Sequence, residues 1–181
     1  MGITHHSSRA FSIDGLLSAE ECEALITLSE ARGFAAASVR TEHGQQAKPL
    51  IRNNERVVFE APAWRDTLWQ RLSVFPLPEV HSQHATGLPR ALRFYKYTPG
   101  QRFKMHKDGP WVEDGLTSQL TLLVYLNEGF LGGDTVFRDM VVMPKTGSAL
   151  LFLHDTWHEG AALAEGTKYV LRSDVMYDHT S

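Results

Sequence analysis

The sequence predicts a mainly β protein of the α+β class, an antiparallel sandwich or double-stranded β-helix (jelly roll) with N-terminal supporting helices. Three observations lead to this class. The first half of the chain carries two segments with helical spacing of apolar residues. The second half alternates short apolar segments with glycine and proline turns. The length of 181 residues is that of one ordinary domain.

Both helical segments have recognisable N-terminal signals. Ser18 followed by Glu21 is a capping-box pattern, which predicts a helix over Ala19–Arg32. Pro62 suits the first turn of a second helix, which we expect to end near residue 73.

The other segments are assigned from their apolar stretches and from the polar, glycine and proline residues between them. Between the helices we expect a strand over 34–40, a polar loop over 41–49 and a strand over 57–59, and after them a loop over 76–89. The later strands are predicted over 92–98, 101–107, 119–127, 135–137, 147–152 and 168–177. We therefore predict a single domain over 1–181, with a helical part at about 1–75 and a jelly-roll core at about 91–177.

Composition narrows the classes of partner. The net charge of −3 gives no whole-molecule attraction to nucleic acid or anionic lipid. The single cysteine, Cys22, excludes an intrachain disulfide, and its place on the apolar stripe of the first helix predicts a core residue. No apolar segment is long enough to cross a bilayer, and residues 1–12 lack the apolar region of a secretory signal. We expect a cytoplasmic protein without a membrane or nucleic-acid partner.

A possible metal site is the most informative feature. His106 and Asp108 form an H-x-D pair at the end of a predicted strand, where both side chains point to one side. His158 comes from a later strand and is a candidate third ligand, as is the neighbouring His154. Two imidazoles and one carboxylate form the facial ligand set of non-haem iron oxygenases. A catalytic zinc site also often has three protein ligands, so their number alone does not select the metal.

Four further motifs surround these residues in a fixed order. They are Tyr97-Thr98-Pro99-Gly100, Tyr125-Leu126-Asn127, Gly132-Gly133-Asp134-Thr135-Val136-Phe137, and His158-Glu159 followed by Lys168. In this order the motifs resemble the prolyl 4-hydroxylase-like branch of the iron(II)/2-oxoglutarate-dependent dioxygenases. The resemblance extends over residues 93–177 and is compatible with a helical N-terminal part.

The resemblance implies an activity and its cofactors. The family pattern selects His158 over His154 as the third ligand, because Glu159 follows it and Lys168 lies ten residues later. Fe(II) bound by His106, Asp108 and His158 would use 2-oxoglutarate and O2, with ascorbate as reductant. The reaction would hydroxylate an unactivated C–H bond of a peptidyl residue, an amino acid or a small metabolite, and would release succinate and CO2.

The cosubstrate needs a buried cation for its far carboxylate. Lys168 and Arg172 lie on one face of the last strand and are both candidates. The prolyl-hydroxylase pattern favours Lys168, whereas other branches place an arginine at the spacing of Arg172, which is also a candidate for the 1-carboxylate or the substrate. The resemblance further implies that Tyr125 donates to the far carboxylate and that Tyr97 lines the cofactor pocket.

Candidate substrate contacts come from two segments. Arg52, Asn54 and Arg56 form a polar cluster suited to a peptide backbone or a carboxylate, and Trp111 follows the metal pair. Two alternative functions remain from sequence. One is an alkylation-repair-like nucleic-acid demethylase, from whose pattern the chain departs at Tyr95, and the other is a non-catalytic cupin-like binding module.

Overall fold

The computed structural model describes residues 2–178, in which strands predominate. The helices are α1 (Ala19–Arg32) and α2 (Pro62–Leu72). The strands of the N-terminal part are β1 (Ile3–His5), β2 (Ala10–Ile13), β3 (Ala35–Ala36), β4 (Val39–Thr41), β5 (Gly44–Gln46) and β6 (Glu55–Glu60). The later strands are β7 (Ala85–Gly87), β8 (Ala91–Tyr97), β9 (Phe103–His106), β10 (Val112–Glu113), β11 (Leu116–Tyr125), β12 (Leu131–Gly132), β13 (Thr135–Phe137), β14 (Val141–Val142), β15 (Ala149–Leu153), β16 (His158–Gly160), β17 (Leu163–Glu165) and β18 (Lys168–Tyr177).

Two antiparallel sheets form the layers of the fold. The main sheet has the strand order β1-β2-β15-β11-β18-β8-β6-β3, with β10 beside β11 and β7 beside β18. The smaller sheet has the order β14-β13-β16-β9. Residues of both sheets line a common cavity, so the two layers face each other. This arrangement confirms the predicted mainly β jelly-roll class.

The central strands of the main sheet carry buried apolar residues on both faces. The helices cover one face, and the smaller sheet covers the other. In β11, Leu122 and Val124 belong to the core shared with the helices, whereas Tyr125 belongs to the core between the sheets. The same alternation occurs in β18, where Leu171 packs toward the helices and Val170 toward the smaller sheet. Each fully buried leucine of this kind contributes about 1.5–3 kcal/mol.

The helices are joined to each other by one arginine. The predicted capping box is present, since Glu21 N–H donates to Ser18 Oγ and Ser18 N–H donates to the Glu21 carboxylate. Arg71 of α2 donates to both carboxylate oxygens of Glu21, at 2.7 Å each.

Cys22 is fully buried as predicted, and burial raises the pKa of its thiol to about 11.

Short strands account for the differences from the predicted elements. The strand predicted over 34–40 is two strands, β3 and β4, and the loop predicted over 41–49 contains β5, which pairs with β4. The loop predicted over 76–89 contains β7. Strands of two or three residues are too short to show an alternating pattern, so only their partners reveal them. Within residues 2–178, no helix combines the length and apolar character needed to cross a membrane.

Candidate metal centre

Three predicted ligands converge where the smaller sheet ends. His106 closes β9, His158 opens β16, and the two residues are directly paired in the antiparallel register. Asp108 lies two residues beyond β9 and turns its carboxylate toward both rings. Its oxygens lie 3.5 Å from His106 Nε2 and 3.6 Å from His158 Nε2. All three donor atoms lie within 4.8 Å of one another.

Backbone carbonyls orient both imidazoles. His106 Nδ1 lies 2.7 Å from the carbonyl oxygen of Lys104, and His158 Nδ1 lies 2.9 Å from that of Thr156. A carbonyl oxygen only accepts, so Nδ1 carries the proton on each ring and donates it. Both Nε2 atoms therefore direct a free lone pair toward the Asp108 carboxylate, as metal-binding histidines require.

Asp108 is held as a carboxylate by its neighbours. Burial raises the pKa of Asp108, but the positive charge that the rings of His106 and His158 carry when protonated, and the hydrogen bond from the Thr121 hydroxyl, hold it well below its ordinary value. Thr121 Oγ1 donates to Asp108 Oδ2 at 2.6 Å. Two neutral imidazoles and an ionised carboxylate are a donor set suited to Fe(II), and equally to zinc.

His154 lies behind the metal centre rather than within it. Its ring has a hydroxyl on each side, with Ser118 Oγ 2.7 Å from Nε2 and Thr121 Oγ1 2.9 Å from Nδ1. Thr121 gives its own proton to Asp108, so His154 Nδ1 donates to Thr121 and Ser118 donates to Nε2. Burial lowers the pKa of His154, which keeps this ring neutral. The structure therefore brings His158, and not His154, to the other two donors.

Two cavities meet at this centre. The inner cavity, of about 40 Å³, lies between the sheets and is lined by Tyr97, Tyr125, Thr135, His158, Lys168 and Val170, among others. The outer cavity, of about 610 Å³, is lined by Ser38, Arg52, Arg56, Arg93, Lys107 and Trp111, among others. His106, Asp108 and Arg172 line both cavities.

Lys168 is a buried cation in the inner cavity, only 3% exposed. Its Nζ donates to the carbonyl oxygen of Gly133 and lies 5.0 Å and 5.8 Å from the ring centroids of Tyr97 and Tyr125. Within residues 2–178 no carboxylate forms an ion pair with it. Burial lowers the pKa of Lys168 to about 8, although Asp134 opposes this effect. The ammonium is thus placed to pair with an anion that enters the cavity.

The double glycine makes this contact to Lys168 possible. Gly132 and Gly133 both have φ of +74°. A Cβ on Gly132 would lie 2.5 Å from the carbonyl oxygen of Ala162, and one on Gly133 would lie 3.3 Å from Lys168 Cδ. Side chains at these two positions would push the turn away from the cavity.

Two phenols complete the inner cavity. Tyr125 Oη lies 2.7 Å from Thr135 Oγ1, and burial raises the pKa of both Tyr97 and Tyr125. Both rings are therefore neutral hydrogen-bond donors at physiological pH.

Arg172 differs from Lys168 because it already has carboxylate partners. Its Nη1 donates to Asp174 Oδ2 at 2.9 Å, and its Nη2 lies 3.4 Å from Asp108 Oδ2. Arg93 Nη1 also donates to Asp174 Oδ2 at 2.9 Å. Burial raises the pKa of Asp174 to about 6, and the adjacent Arg93 and His154 oppose that rise.

The predicted substrate contacts lie in different surroundings. Arg52 is 5% exposed and lies between the rings of Tyr95 and Phe103, at 4.4 Å and 4.5 Å. Its Nη2 is buried without a hydrogen-bond partner among the described residues, at a cost of about 1–3 kcal/mol unless a ligand binds it.

The other three predicted contacts divide between the cavity and the core. Arg56 is half-buried, and Trp111, 39% exposed, lies beneath the guanidinium of Arg93. Asn54 is fully buried and lines neither cavity; its amide oxygen accepts from Arg52 Nε at 2.8 Å. Asn54 therefore orients Arg52.

Four polar residues of the site escaped the sequence prediction: Arg93, Ser118, Thr121 and Asp174. Each lies in a strand that also carries other polar residues, so no local signal distinguishes these four. Most of their partners lie in segments that are distant in sequence.

Comparisons with known proteins agree with this geometry. A model of the 2OG-Fe(II) oxygenase superfamily matches residues 92–173, which include the three convergent donors. A probable prolyl 4-hydroxylase 3 of Arabidopsis thaliana is 26% identical over 174 residues, covering 80% of this chain. The chain spans only 58% of the length of that relative.

Solved structures share the fold. A viral collagen prolyl hydroxylase from Paramecium Bursaria Chlorella virus-1, in a 2OG complex, has a TM-score of 0.70 at 23% identity, covering 96% of this chain and 98% of that one. A prolyl hydroxylase from Trichoplax adhaerens, in complex with a hypoxia inducible factor peptide fragment, has a TM-score of 0.69 at 17% identity, covering 93% and 84%. Together with the family model, these likenesses make the chain similar to 2OG-Fe(II) oxygenases and to prolyl 4-hydroxylases, and the solved structures show that it shares their fold.

Proposed function

We propose that this chain is an Fe(II)- and 2-oxoglutarate-dependent dioxygenase that hydroxylates an unactivated C–H bond of a peptidyl residue, an amino acid or a small metabolite. The observation that carries the proposal is the combination of three converging donors with a buried, unpaired ammonium beside them. A metal site alone would suit a binding module. A cation enclosed behind the metal suits a dicarboxylate that chelates the metal with one end.

Each residue of the centre has a distinct part in binding. His106, Asp108 and His158 hold Fe(II) and leave part of its coordination sphere open. Lys168 pairs with the far carboxylate of 2-oxoglutarate, and Tyr125 donates its hydroxyl to the same group. When bound, iron, 2-oxoglutarate and O2 supply the oxidation that yields succinate, CO2 and a hydroxylated substrate.

The inner cavity is suited to this binding because it is small and lies between the two sheets. The Lys168 ammonium is almost fully buried beside the rings of Tyr97 and Tyr125, and burial strengthens a charge-assisted hydrogen bond. Arg172 lines both cavities and donates to Asp174 through Nη1. Its other N–H groups would reach the nearer carboxylate of 2-oxoglutarate or the substrate.

The outer cavity receives the substrate in this proposal. Arg52 and Arg56 line one wall, Asn54 fixes Arg52 from behind, and Trp111 forms part of the rim. Prolyl hydroxylase relatives, one of them bound to a peptide, support a peptide or a small molecule as the substrate class. Ascorbate would serve as the reductant that keeps the metal in the Fe(II) state.

Succinate formation tests the proposal directly. Purified protein with Fe(II), ascorbate and 2-oxoglutarate is expected to release succinate slowly without a substrate. It is expected to release succinate faster when a substrate that it can hydroxylate is added. Replacing Fe(II) by Zn(II) removes the activity, because zinc has no redox chemistry. Absence of succinate with Fe(II), and no 16 Da gain in any candidate pool of peptides, amino acids or metabolites, would contradict an oxygenase.

A further inference from the structure

Cations outnumber carboxylates in the outer cavity. Its lining includes five cationic side chains: Arg52, Arg56, Arg93, Lys107 and Arg172. Among the described residues that line it, only Asp108 and Asp174 carry carboxylates, and Asp108 is one of the three candidate metal ligands. The cavity beside the metal is therefore positively charged and suits an anion.

Existing ion pairs divide these cations into two groups. Asp174 Oδ2 accepts from Arg93 Nη1 and Arg172 Nη1, both at 2.9 Å, so these two guanidiniums share a carboxylate. No ion pair to Arg52 or Arg56 occurs within the described part of the chain. Arg52 donates through Nε to an amide oxygen and has a buried, unpartnered Nη2, and Arg56 donates only to Ser38 Oγ at 3.3 Å.

The uncompensated pair lies close to the metal centre. The Arg52 guanidinium stacks on the Phe103 ring at 4.5 Å, and the same ring stacks on His106 with centroids 3.6 Å apart. Arg56 is opposite Tyr95 in the register of β6 and β8, and Tyr95 contacts the other side of the Arg52 guanidinium. A ligand atom held by both arginines is thus about one aromatic ring away from a metal ligand.

Charge repulsion adds a second reason to expect an anion here. Arg93 and Arg56 lie on one face of the main sheet as diagonal neighbours on β8 and β6, a position that places Cα atoms about 7–8 Å apart. Burial, with the charges of Arg52 and Arg93, lowers the pKa of Arg56, although Tyr95 opposes this effect. Like charges without a counter-ion are unfavourable, and a bound anion relieves both repulsions.

From these contacts, and resting on the proposed function, we propose that the primary substrate carries a carboxylate that binds Arg52 and Arg56 in the outer cavity. A planar carboxylate accepts two parallel hydrogen bonds from a guanidinium, which positions it as well as binds it. The carbon atoms next to that carboxylate then face His106 and Asp108. A net charge of −3 gives the chain no long-range attraction for a polyanion, which argues against nucleic acid.

The binding test uses simple ions and needs no turnover. Protein loaded with Zn(II) and 2-oxoglutarate is titrated with propionate, propionamide and methyl phosphate, and the side-chain Nε–H signals of Arg52 and Arg56 are followed by NMR. Propionate is expected to shift both signals saturably, whereas propionamide leaves them in place. No saturable shift with propionate, or clearly tighter binding of methyl phosphate, would overturn the carboxylate assignment, the latter in favour of a phosphate ligand.

Variants make this result specific. Arg56→Gln is expected to weaken propionate binding about tenfold, because one charge-assisted contact is lost. Arg65→Gln is the matched control, since Arg65 lines neither cavity and pairs with Asp66 on α2. If Arg56→Gln does not fold, Arg56→Lys retains the charge without the guanidinium fork and is expected to weaken binding less. Equal propionate affinity in wild type and in every folded Arg56 variant would overturn the inference.

A second comparison identifies the source of the carboxylate and separates this inference from the proposed function. L-proline is compared with L-prolinamide, and a blocked peptide Ala-Pro-Glu-Ala with Ala-Pro-Gln-Ala. A preference for either acid supports the inference and selects a small acid or an acidic peptide, whereas no preference in both pairs overturns it. If the wild-type protein binds propionate but not 2-oxoglutarate, the proposed function is contradicted, whereas the carboxylate subsite is supported.

Discussion

Replacing Lys168 by methionine separates the stability of the fold from cosubstrate binding. The ammonium is enclosed by Tyr97 and Tyr125, and its hydrogen bond goes to a neutral carbonyl oxygen, that of Gly133. Methionine has a similar length and no charge. We therefore expect Lys168→Met to stabilise the protein without cosubstrate and to remove 2-oxoglutarate binding.

The magnitude follows from the pKa of Lys168. Burial lowers it from 10.5 to about 8 in the folded protein, so the folded state binds fewer protons than the unfolded state between these values. The free energy of unfolding therefore rises with pH across this range, and below about pH 8 the charged lysine costs the fold its full amount. At 1.36 kcal/mol per pKa unit the cost is about 3 kcal/mol, which Lys168→Met is expected to recover at pH 7.

Chemical unfolding at pH 7 measures this change, and calorimetry measures binding of 2-oxoglutarate. The variant is expected to lose about a hundredfold or more in affinity, because the ligand carboxylate would be buried without a partner. Lys145→Met is the control, since Lys145 is 66% exposed and far from the cavity. A variant that is less stable than wild type, or one that binds 2-oxoglutarate normally, would refute the reasoning. A larger loss of affinity in Arg172→Gln would move the far carboxylate to Arg172.

Three further outcomes test the centre. The affinity for 2-oxoglutarate is expected to fall as pH rises above about 8, because free Lys168 loses its proton there; a flat binding profile from pH 7 to pH 10 would contradict this. Metal titration is expected to show no binding in His158→Ala and measurable binding in His154→Ala, and the reverse order would exchange the two roles. Thr121→Val removes the donor to Asp108 Oδ2 and is expected to lower metal affinity about 10–100-fold, whereas unchanged affinity would make that hydrogen bond irrelevant to the metal.

The convergence of the candidate metal ligands was predictable in part because their pattern is local. His106 ends β9 and Asp108 follows two residues later, so their spacing alone keeps the two side chains close. His158 required an additional step, the choice against His154. That choice depended on spacing to Lys168 through the family resemblance, and the structure brings His158 to the other donors by pairing β16 with β9.

The polar residues behind the ligands were not predictable, since their partners come from strands that are distant in sequence. Thr121 lies on β11, and its two partners lie near β9 and after β15. The burial of Arg52 is a similar case. Its neighbours in sequence are polar and give no sign of burial, but the rings of Tyr95 and Phe103 enclose its guanidinium, and only the three-dimensional structure shows that they do.

A chain of hydrogen bonds links the rim of the outer cavity to the metal centre. Trp111 N–H donates to Ser118 Oγ, Ser118 donates to His154, His154 donates to Thr121, and Thr121 donates to Asp108. Every donor in this chain points toward the carboxylate, so the bonds polarise one another in the same direction. One network therefore joins the backbone of Trp111, at the rim of the outer cavity, to the carboxylate of the candidate ligand Asp108. In the proposed function, a substrate that displaces Trp111 would weaken the last bond to Asp108 and so couple substrate binding to metal binding.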